Sequence, residues 1–337
     1  MACEKQVPNE NLSPTEGLSP YESQTSTDEN IKPKEELSSK ENLTPNAKLS
    51  SSGEDYLVQI SSWSWSSLRN LFKANWPYGV QGYCLLHMLI TQPSVASAFN
   101  FSIYCPRGVI EKGMIAISST DTYQLYICPV VTENLKCMEE SLLNTKVVDW
   151  KKDIIIPAVT PDVMKLIDRV GHVLKLDVKC NGQVIRYLYS DNSPPFPDVN
   201  PPIGTTVGPL KNEFISLVDA TWSFRSETSV QYFKRLLDSS STYALYSEGG
   251  QPLAWVIVDE TGSLAHLYSL ERCRRQGYAS FLVKRAANDL LNKGQHVLLY
   301  SVMDNFPSQR LFVKLGFKNY GLTSWVVIQK RDMDVPS

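Results

Sequence analysis

The chain has 337 residues, with 33 Lys and Arg against 35 Asp and Glu and 42% hydrophobic residues. That length allows one large domain or two ordinary ones. A formal charge of −2 argues against a nucleic-acid surface as the main function, because neutralising phosphates needs an excess of Lys and Arg. The balance is uneven: residues 1–55 hold 5 Lys, no Arg and 11 Asp or Glu, a net of −6, which leaves +4 on the remainder.

Residues 1–54 read as a disordered acidic tail rich in Ser, Thr and Pro. Between residues 1 and 53 the single aromatic is Tyr21. So little apolar surface does not offset about 1–2 kcal/mol per residue of backbone ordering. Ser13-Pro14, Ser19-Pro20 and Thr44-Pro45 are candidate modification sites if the tail is regulatory. No secretory signal and no Arg-rich presequence is visible at the start. No uninterrupted stretch of 18 apolar residues exists, so no membrane span is expected. Seven cysteines without a CxxC pair and four scattered histidines argue against a disulfide scaffold or a structural metal.

From residue 55 strand and helix signals alternate. Residues 63–76 predict a short amphipathic helix with Leu68, Leu71 and Phe72 on one face. Residues 83–90 and 100–105, rich in aromatic and aliphatic side chains, predict strands, as does the alternation over 123–128. Residues 133–143 and 161–174 predict helices, the second opened by Pro161 and striped by Val163, Leu166, Ile167 and Val170. Two strands are expected around Asn181-Gly182, the dipeptide a tight hairpin turn prefers. Six prolines between 191 and 209 mark an interdomain linker or an ordered loop, with a domain boundary near 200.

The second half reads more plainly. Residues 242–247 and 253–258 form a hairpin around Gly249-Gly250-Gln251-Pro252, and 263–270 a third strand. A basic loop leads to a helix over 278–293 with Gly294 at its C-terminal end. A strand over 297–303, a short helix over 307–315 and a strand over 322–329 complete a mixed α/β sheet. The expected division is a tail (1–54), an N-terminal domain (55–200) and a C-terminal domain (201–337).

The informative stretch runs from His266 to Ala279, an apolar strand passing through a basic loop into a helix. Arg274, Gly277 and Ala279 have the spacing Arg-x-x-Gly-x-Ala. Small residues there let backbone N–H groups approach an anion, and the helix start adds free donors and partial positive charge. Arg272 and Arg275 add cations. Taken alone, the motif equally fits an ordinary strand–helix turn with solvated arginines. Downstream, Asn305-x-x-Ser308-x-x-Leu311-Phe312-x-Lys314-Leu315-Gly316-Phe317 follows the next strand.

The two motifs in this order resemble the GNAT superfamily of acyl-CoA-dependent N-acyltransferases. Leu217-Val218-Asp219-Ala220-Thr221-Trp222 and Trp255-Val256-Ile257-Val258-Asp259-Glu260-Thr261-Gly262 narrow the resemblance to the glycine N-acyltransferases and their paralogues. So do Thr122-Tyr123-Gln124-Leu125-Tyr126 and Val148-Asp149-Trp150-Lys151 in the first half. The resemblance covers roughly 60–330. It implies two tandem GNAT-like domains, of which the C-terminal one retains the CoA loop, and acyl transfer from acyl-CoA to glycine or a similar small amine. It also implies mitochondria, whereas the acidic start lacks a presequence and leaves the cytoplasm as the alternative. No nucleic-acid partner is expected, and the oligomeric state is open.

For such a reaction a base must take the amine proton, and the tetrahedral oxyanion needs a donor. The resemblance puts that donor, and the pairing with the pantetheine arm, near Leu267, Ser269 and Leu270. It puts the pyrophosphate on Arg274, Arg275, Gln276, Gly277, Tyr278 and Ala279, with Asn305 and Ser308 on the CoA arm or capping a helix. Two positions depart from the family pattern: Ser263 stands where its glutamate base is expected, and Phe312 where many relatives carry a tyrosine acid. His266, with an ordinary pKa near 6.5, is the replacement base expected here, its alternative being a hydrogen-bonded sheet histidine. Strand alternation puts 264, 266 and 268 on one face unless a bulge intervenes. Tyr268 and Tyr300 are candidate acids for the leaving thiolate. Cys273 reads as an inert loop thiol or one activated by its arginines. The departures also admit two alternatives: a CoA-binding protein without turnover, or an N-acetyltransferase acting on a protein amine.

Overall fold

A computed structural model describes residues 55–330, apart from 191 and 198, and these described residues form one compact unit. The expected acidic tail and its Ser-Pro and Thr-Pro sites lie outside the described residues. The first half runs β1 (Leu57–Gln59), α1 (Trp65–Ala74), α2 (Val80–Thr91), α3 (Pro93–Ala98), β2 (Phe101–Pro106), β3 (Met114–Ser119), β4 (Tyr123–Cys128), α4 (Leu135–Asn144), β5 (Ile154–Val159), α5 (Pro161–Leu174) and β6 (Leu176–Tyr189). The second runs β7 (Thr205–Gly208), α6 (Ile215–Ala220), α7 (Ser229–Ser239), β8 (Thr242–Ser247), β9 (Pro252–Val258), β10 (Leu264–Ser269), α8 (Tyr278–Asn292), β11 (Val297–Val302), α9 (Phe306–Lys314) and β12 (Lys318–Lys330). The fold is mixed α/β around one mixed sheet, as the sequence predicts. No described helix is long and apolar enough to cross a membrane.

Two local expectations are overturned. Residues 83–90 belong to helix α2, not to a strand. Tyr83 through Leu89 are all buried, so the helix shows no polar stripe. An apolar run without a polar face has no helical period to read. Asn181-Gly182 does not turn a hairpin either: β6 runs straight through it. Trp325 of β12 faces Gly182 and Val326 faces Cys180, so Asn181 is the extra residue of a β-bulge. The described part of the proline-rich stretch is a loop whose end forms β7, an edge strand, where proline neighbours are tolerated.

The strand order is β1-β2-β3-β4-β5-β12-β6-β11-β10-β9-β8-β7. The two halves therefore exchange strands: β6, from the first half, lies beside β11, and β12, the last strand, lies between β5 and β6. This non-local pairing joins the halves through backbone hydrogen bonds as well as packing.

Each half also contains a fork, a pair of parallel strands that join at one end only. In the first half β4 and β5 pair at Tyr123–Ile154 and Gln124–Ile155 and then separate. The α1–α2 connection fills this fork. Gln81 Nε2 donates to the Pro157 carbonyl at 3.2 Å. Gly79 lies so close to α1 that an added Cβ would sit 2.2 Å from the Phe72 carbonyl oxygen. What remains, lined by Tyr78, Cys128 and Thr160 among others, is a void of about 20 Å³, the size of one water. In the second half β10 and β11 pair only at Leu264–Leu299.

Candidate active site

The second fork is built by a turn, a bulge and a basic loop. The turn joining β9 to β10 is closed by Asp259, whose Oδ1 accepts from the N–H groups of Thr261 and Ser263 and from the Thr261 hydroxyl, all within 2.9 Å. Next to it, Glu260 is buried and accepts the Tyr232 hydroxyl at 2.8 Å, with the Tyr126 hydroxyl 3.1 Å away. Burial, with each acid's charge beside the other, raises the Asp259 carboxyl; burial also raises that of Glu260.

Along β10, Ala265 pairs with Ile257 and Tyr268 with Trp255, so the stretch from 265 to 268 is one residue longer than the β9 stretch it faces. The bulge foreseen as the exception to simple alternation is present. His266 sits in it with φ 49°, the left-handed region that a non-glycine residue occupies at a cost. Leu264 pairs with both Val258 and Leu299, so these share one face. Trp255, Ala265, Tyr268 and Tyr300 share the opposite face.

On that face the His266 ring lies among Trp222, Phe233, Trp255 and Tyr268, with centroids 5.1–6.4 Å away. Its Nε2 is 3.0 Å from the Val218 carbonyl of α6. A carbonyl only accepts, so Nε2 carries the proton and Nδ1 the lone pair. Burial pushes the imidazole down to about 4, keeping it neutral at pH 7. The α6 turn that supplies Val218 is pinned by buried Asp219, which accepts the Ser229 hydroxyl and pairs with Arg225 Nε at 2.7 Å.

Beyond the bulge, the Leu270 N–H donates to the Leu253 carbonyl at 3.0 Å. Alternation then turns the Leu267 and Ser269 N–H groups away from β9, toward the fork. Tyr268 stacks on Trp255 at 5.2 Å. Arg274 lies over the Tyr268 ring at 5.8 Å, with its Nε 3.5 Å from the Ser269 carbonyl and Nη1 3.6 Å from Glu271. Arg274 is thus folded back along the strand, while exposed Arg272 and Arg275 are free to turn outward.

Arg275 and Gly277 both have positive φ, 63° and 82°, and Gly277 is the N-cap of α8. Nothing lies within 4 Å of where a Gly277 Cβ would stand. The Phe281 N–H donates to the Gly277 carbonyl at 3.0 Å. The N–H groups of Tyr278, Ala279 and Ser280 precede it, in the turn where a helix has no acceptors of its own. Beside them an open cavity of about 200 Å³ is lined by Asn200, Gly277, Ser280 and Lys284. The proline-rich loop forms its far wall, clamped to α8 by a two-way bond between Asn288 and the Phe196 backbone at 2.8 and 2.9 Å. This arrangement suits a phosphate-bearing ligand.

The other sequence candidates fall as follows. Asn305 caps α9, accepting from Ser308 N–H at 3.2 Å, so its side-chain oxygen is engaged in the helix. Tyr300, one strand across the fork, is held protonated by burial. Cys273 is buried. Gln276 reaches back to the Arg272 carbonyl at 3.4 Å. Ser263 is fully buried with its hydroxyl 2.9 Å from that of Thr261, and Phe312 packs on Tyr187 and Phe317. The sequence reading missed Lys284, Glu260 and Arg186. The helical stripe of α8 gives no sign that Lys284 faces a cavity, and Glu260 and Arg186 acquire their surroundings only through long-range packing.

Residues 243–326 match the family model described as FR47-like protein. The chain is 24% identical to bovine (Bos taurus) glycine N-acyltransferase over 214 residues, 58% of this chain and 69% of that one. It is 22% identical to the human enzyme of the same name over 232 residues, 63% of this chain and 75% of that one. The X-ray structure of a Drosophila protein shares the fold, with a TM-score of 0.71 at 15% identity, over 83% of this chain and all of the other. On these similarities the chain resembles the glycine N-acyltransferases, and the resemblance supports an N-acyltransferase.

Proposed function

We propose that the protein transfers an acyl group from acyl-CoA to the amine of glycine or a similar small amino acid. The observation that carries this reading is the open β10–β11 fork, which ends in the left-handed Arg275–Gly277 turn at the start of α8. The first fork is filled and lacks such a turn. In this reading the first turn of α8, Arg275 and Lys284 hold the phosphates of CoA, and the fork edge of β10 holds the pantetheine arm.

The free amine attacks the thioester carbonyl carbon, forming the C–N bond and a tetrahedral oxyanion that accepts from the Leu267 and Ser269 N–H groups. The nitrogen of that intermediate is cationic and far more acidic than a free ammonium, so a neutral imidazole of low basicity accepts its proton at His266 Nδ1. Collapse breaks the C–S bond, Tyr268 protonates the thiolate, and the imidazolium returns a proton to the tyrosinate through solvent. Proton count closes on amide and free CoA thiol. Ser263 and Phe312, both packed away, take no part.

Those two positions favour a second reading, a CoA-binding protein without turnover. Calorimetric titration with CoA, and thiol release from acetyl-, benzoyl- and oleoyl-CoA with a panel of amines, separate the two. Acceptor-dependent thiol with any pair supports the enzyme. Tight CoA binding with no acceptor-dependent thiol for any pair leaves the binding protein. Absence of both overturns the site.

A further inference from the structure

Arg186 of β6 is a buried cation with an unfilled valence. It is 9% exposed. Its Nη2 donates to the Tyr320 carbonyl at 3.2 Å, yet its Nε is buried with no hydrogen-bond partner, and no ion pair engages it among the described residues. A guanidinium does not lose its proton in a protein, so the charge persists. Buried charges are ordinarily paired, because an uncompensated one costs several kcal/mol or more. Arg186 therefore has the character of half a salt bridge.

Its neighbours point to the other half. Arg186 stands directly opposite Tyr300 in the β6–β11 register, on the sheet face that carries Tyr268 and His266. Directly opposed side chains lie about 4.5–5.5 Å apart at Cβ, and diagonal ones about 7–8 Å. The diagonal neighbour on β12 is Thr323, which pairs with Val184; it is 1% exposed and its Oγ1 is also buried without a partner. Trp325 meets Tyr300 edge-on at 5.3 Å and forms an apolar wall. Three adjoining strands thus present a guanidinium N–H and two hydroxyls on one face, one strand from the fork. That set matches a carboxylate, which takes charge-assisted bonds from a guanidinium and neutral bonds from hydroxyls. It does not match an ammonium, which Arg186 repels.

We infer that Arg186, with Tyr300 and Thr323, binds the carboxylate of the amino-acid acceptor and thereby sets the acceptor class to amines bearing a nearby carboxylate. The inference rests on the acyltransferase reading above. It also gives the strand exchange a functional consequence, since β6 of the first half completes a site belonging to the second. Tyr300 then serves recognition, leaving Tyr268 for the thiolate.

The test uses the full chain and calorimetric titration with N-acetylglycine, which carries the carboxylate, and N-acetylglycinamide, which does not. The acid should bind at least about tenfold more tightly, and Arg186→Gln should abolish that difference. Equal binding of the two, binding of neither, or a preference that survives in Arg186→Gln overturns the assignment. Should Arg186→Gln fail to fold by circular dichroism, Thr323→Val, which removes one hydroxyl at nearly constant volume, should still narrow the preference severalfold, and an unchanged preference refutes it. Turnover fixes the source of the carboxylate. Glycine should outperform glycinamide with acetyl-CoA in an Arg186-dependent way. An Arg186-dependent preference for succinyl-CoA over acetyl-CoA, with glycinamide as acceptor, would move the anion to the acyl group and contradict the inference. Carboxylate-selective binding without turnover would refute the acyltransferase reading alone, and turnover without carboxylate selectivity would refute this site alone.

Discussion

His266 offers the sharpest test of the chemistry because its surroundings fix both its proton and its basicity. An ordinary histidine titrates near pH 6.5. Burial in the aromatic cage lowers His266 to about 4, and the bond to the Val218 carbonyl only partly opposes this. Expressed per concentration of free amine, because the ammonium form does not attack, the acid limb of the pH–rate profile should therefore lie about two and a half pH units below that of an unperturbed histidine, leaving that rate flat from about pH 5 to 8 on this account. His266→Ala should cost about 10²–10⁴-fold in kcat and erase the limb. Stability follows the same linkage. The folded pKa is depressed, so the unfolded chain binds the extra proton between pH 4 and 6.5. Stability is complete above 6.5 and falls by about 3 kcal/mol as pH drops to 4. Stopped assays of thiol release from pH 4 to 9, paired with urea unfolding, read both effects. An acid limb near 6.5 that survives in His266→Ala, with unchanged kcat, would refute the role of His266.

Three further outcomes follow from the same geometry. Gly277→Val should weaken CoA binding more than tenfold by calorimetry while costing about 1–2 kcal/mol of stability from the positive φ, since the Cβ meets no protein atom but enters the phosphate space. An unchanged Kd would remove the turn from the ligand site. Asp259→Asn should flatten the pH dependence of stability. The folded carboxyl is raised, so its contribution is present at acid pH and is lost as pH rises from about 4 toward neutrality, and the variant should gain on the wild type between pH 5 and 8 in chemical denaturation. Glu260→Ala should cost about 2–4 kcal/mol by leaving the Tyr232 hydroxyl without its acceptor and opening a void, while Tyr126 keeps Gln124, whereas Glu260→Gln should retain most stability; equal losses in both would mean that the charge itself is required.

The elements legible in the sequence were those whose signal is local. Helix α5 keeps the boundaries its proline and apolar stripe predict, and α8 follows from its stripe and Gly294. Helix α2 was illegible as a helix because both of its faces are apolar, a consequence of its position between sheet and neighbouring helices. Asn181-Gly182 carries a turn signature, but eleven paired positions along β6 and β12 outweigh it. The turn proposed to hold phosphate was legible because it is contiguous, Arg274 through Ala279. Arg186 was not, since its companions Tyr300 and Thr323 lie more than a hundred residues away and reach it only through the strand exchange. His266 stood between these cases: its strand was evident, while its orientation depended on a bulge that only the β9 register reveals.

The central claim is that an amine displaces CoA from a thioester held in the β10–β11 fork. Incubating the protein with acetyl-CoA and ¹⁵N-glycine, and quantifying free thiol and N-acetyl-¹⁵N-glycine by mass spectrometry, tests it most directly. The account predicts one acylated glycine per thiol, lost on omission of protein and reduced in His266→Ala. Thiol without labelled product, or no labelled N-acylglycine with acetyl-, benzoyl- or oleoyl-CoA, would contradict it.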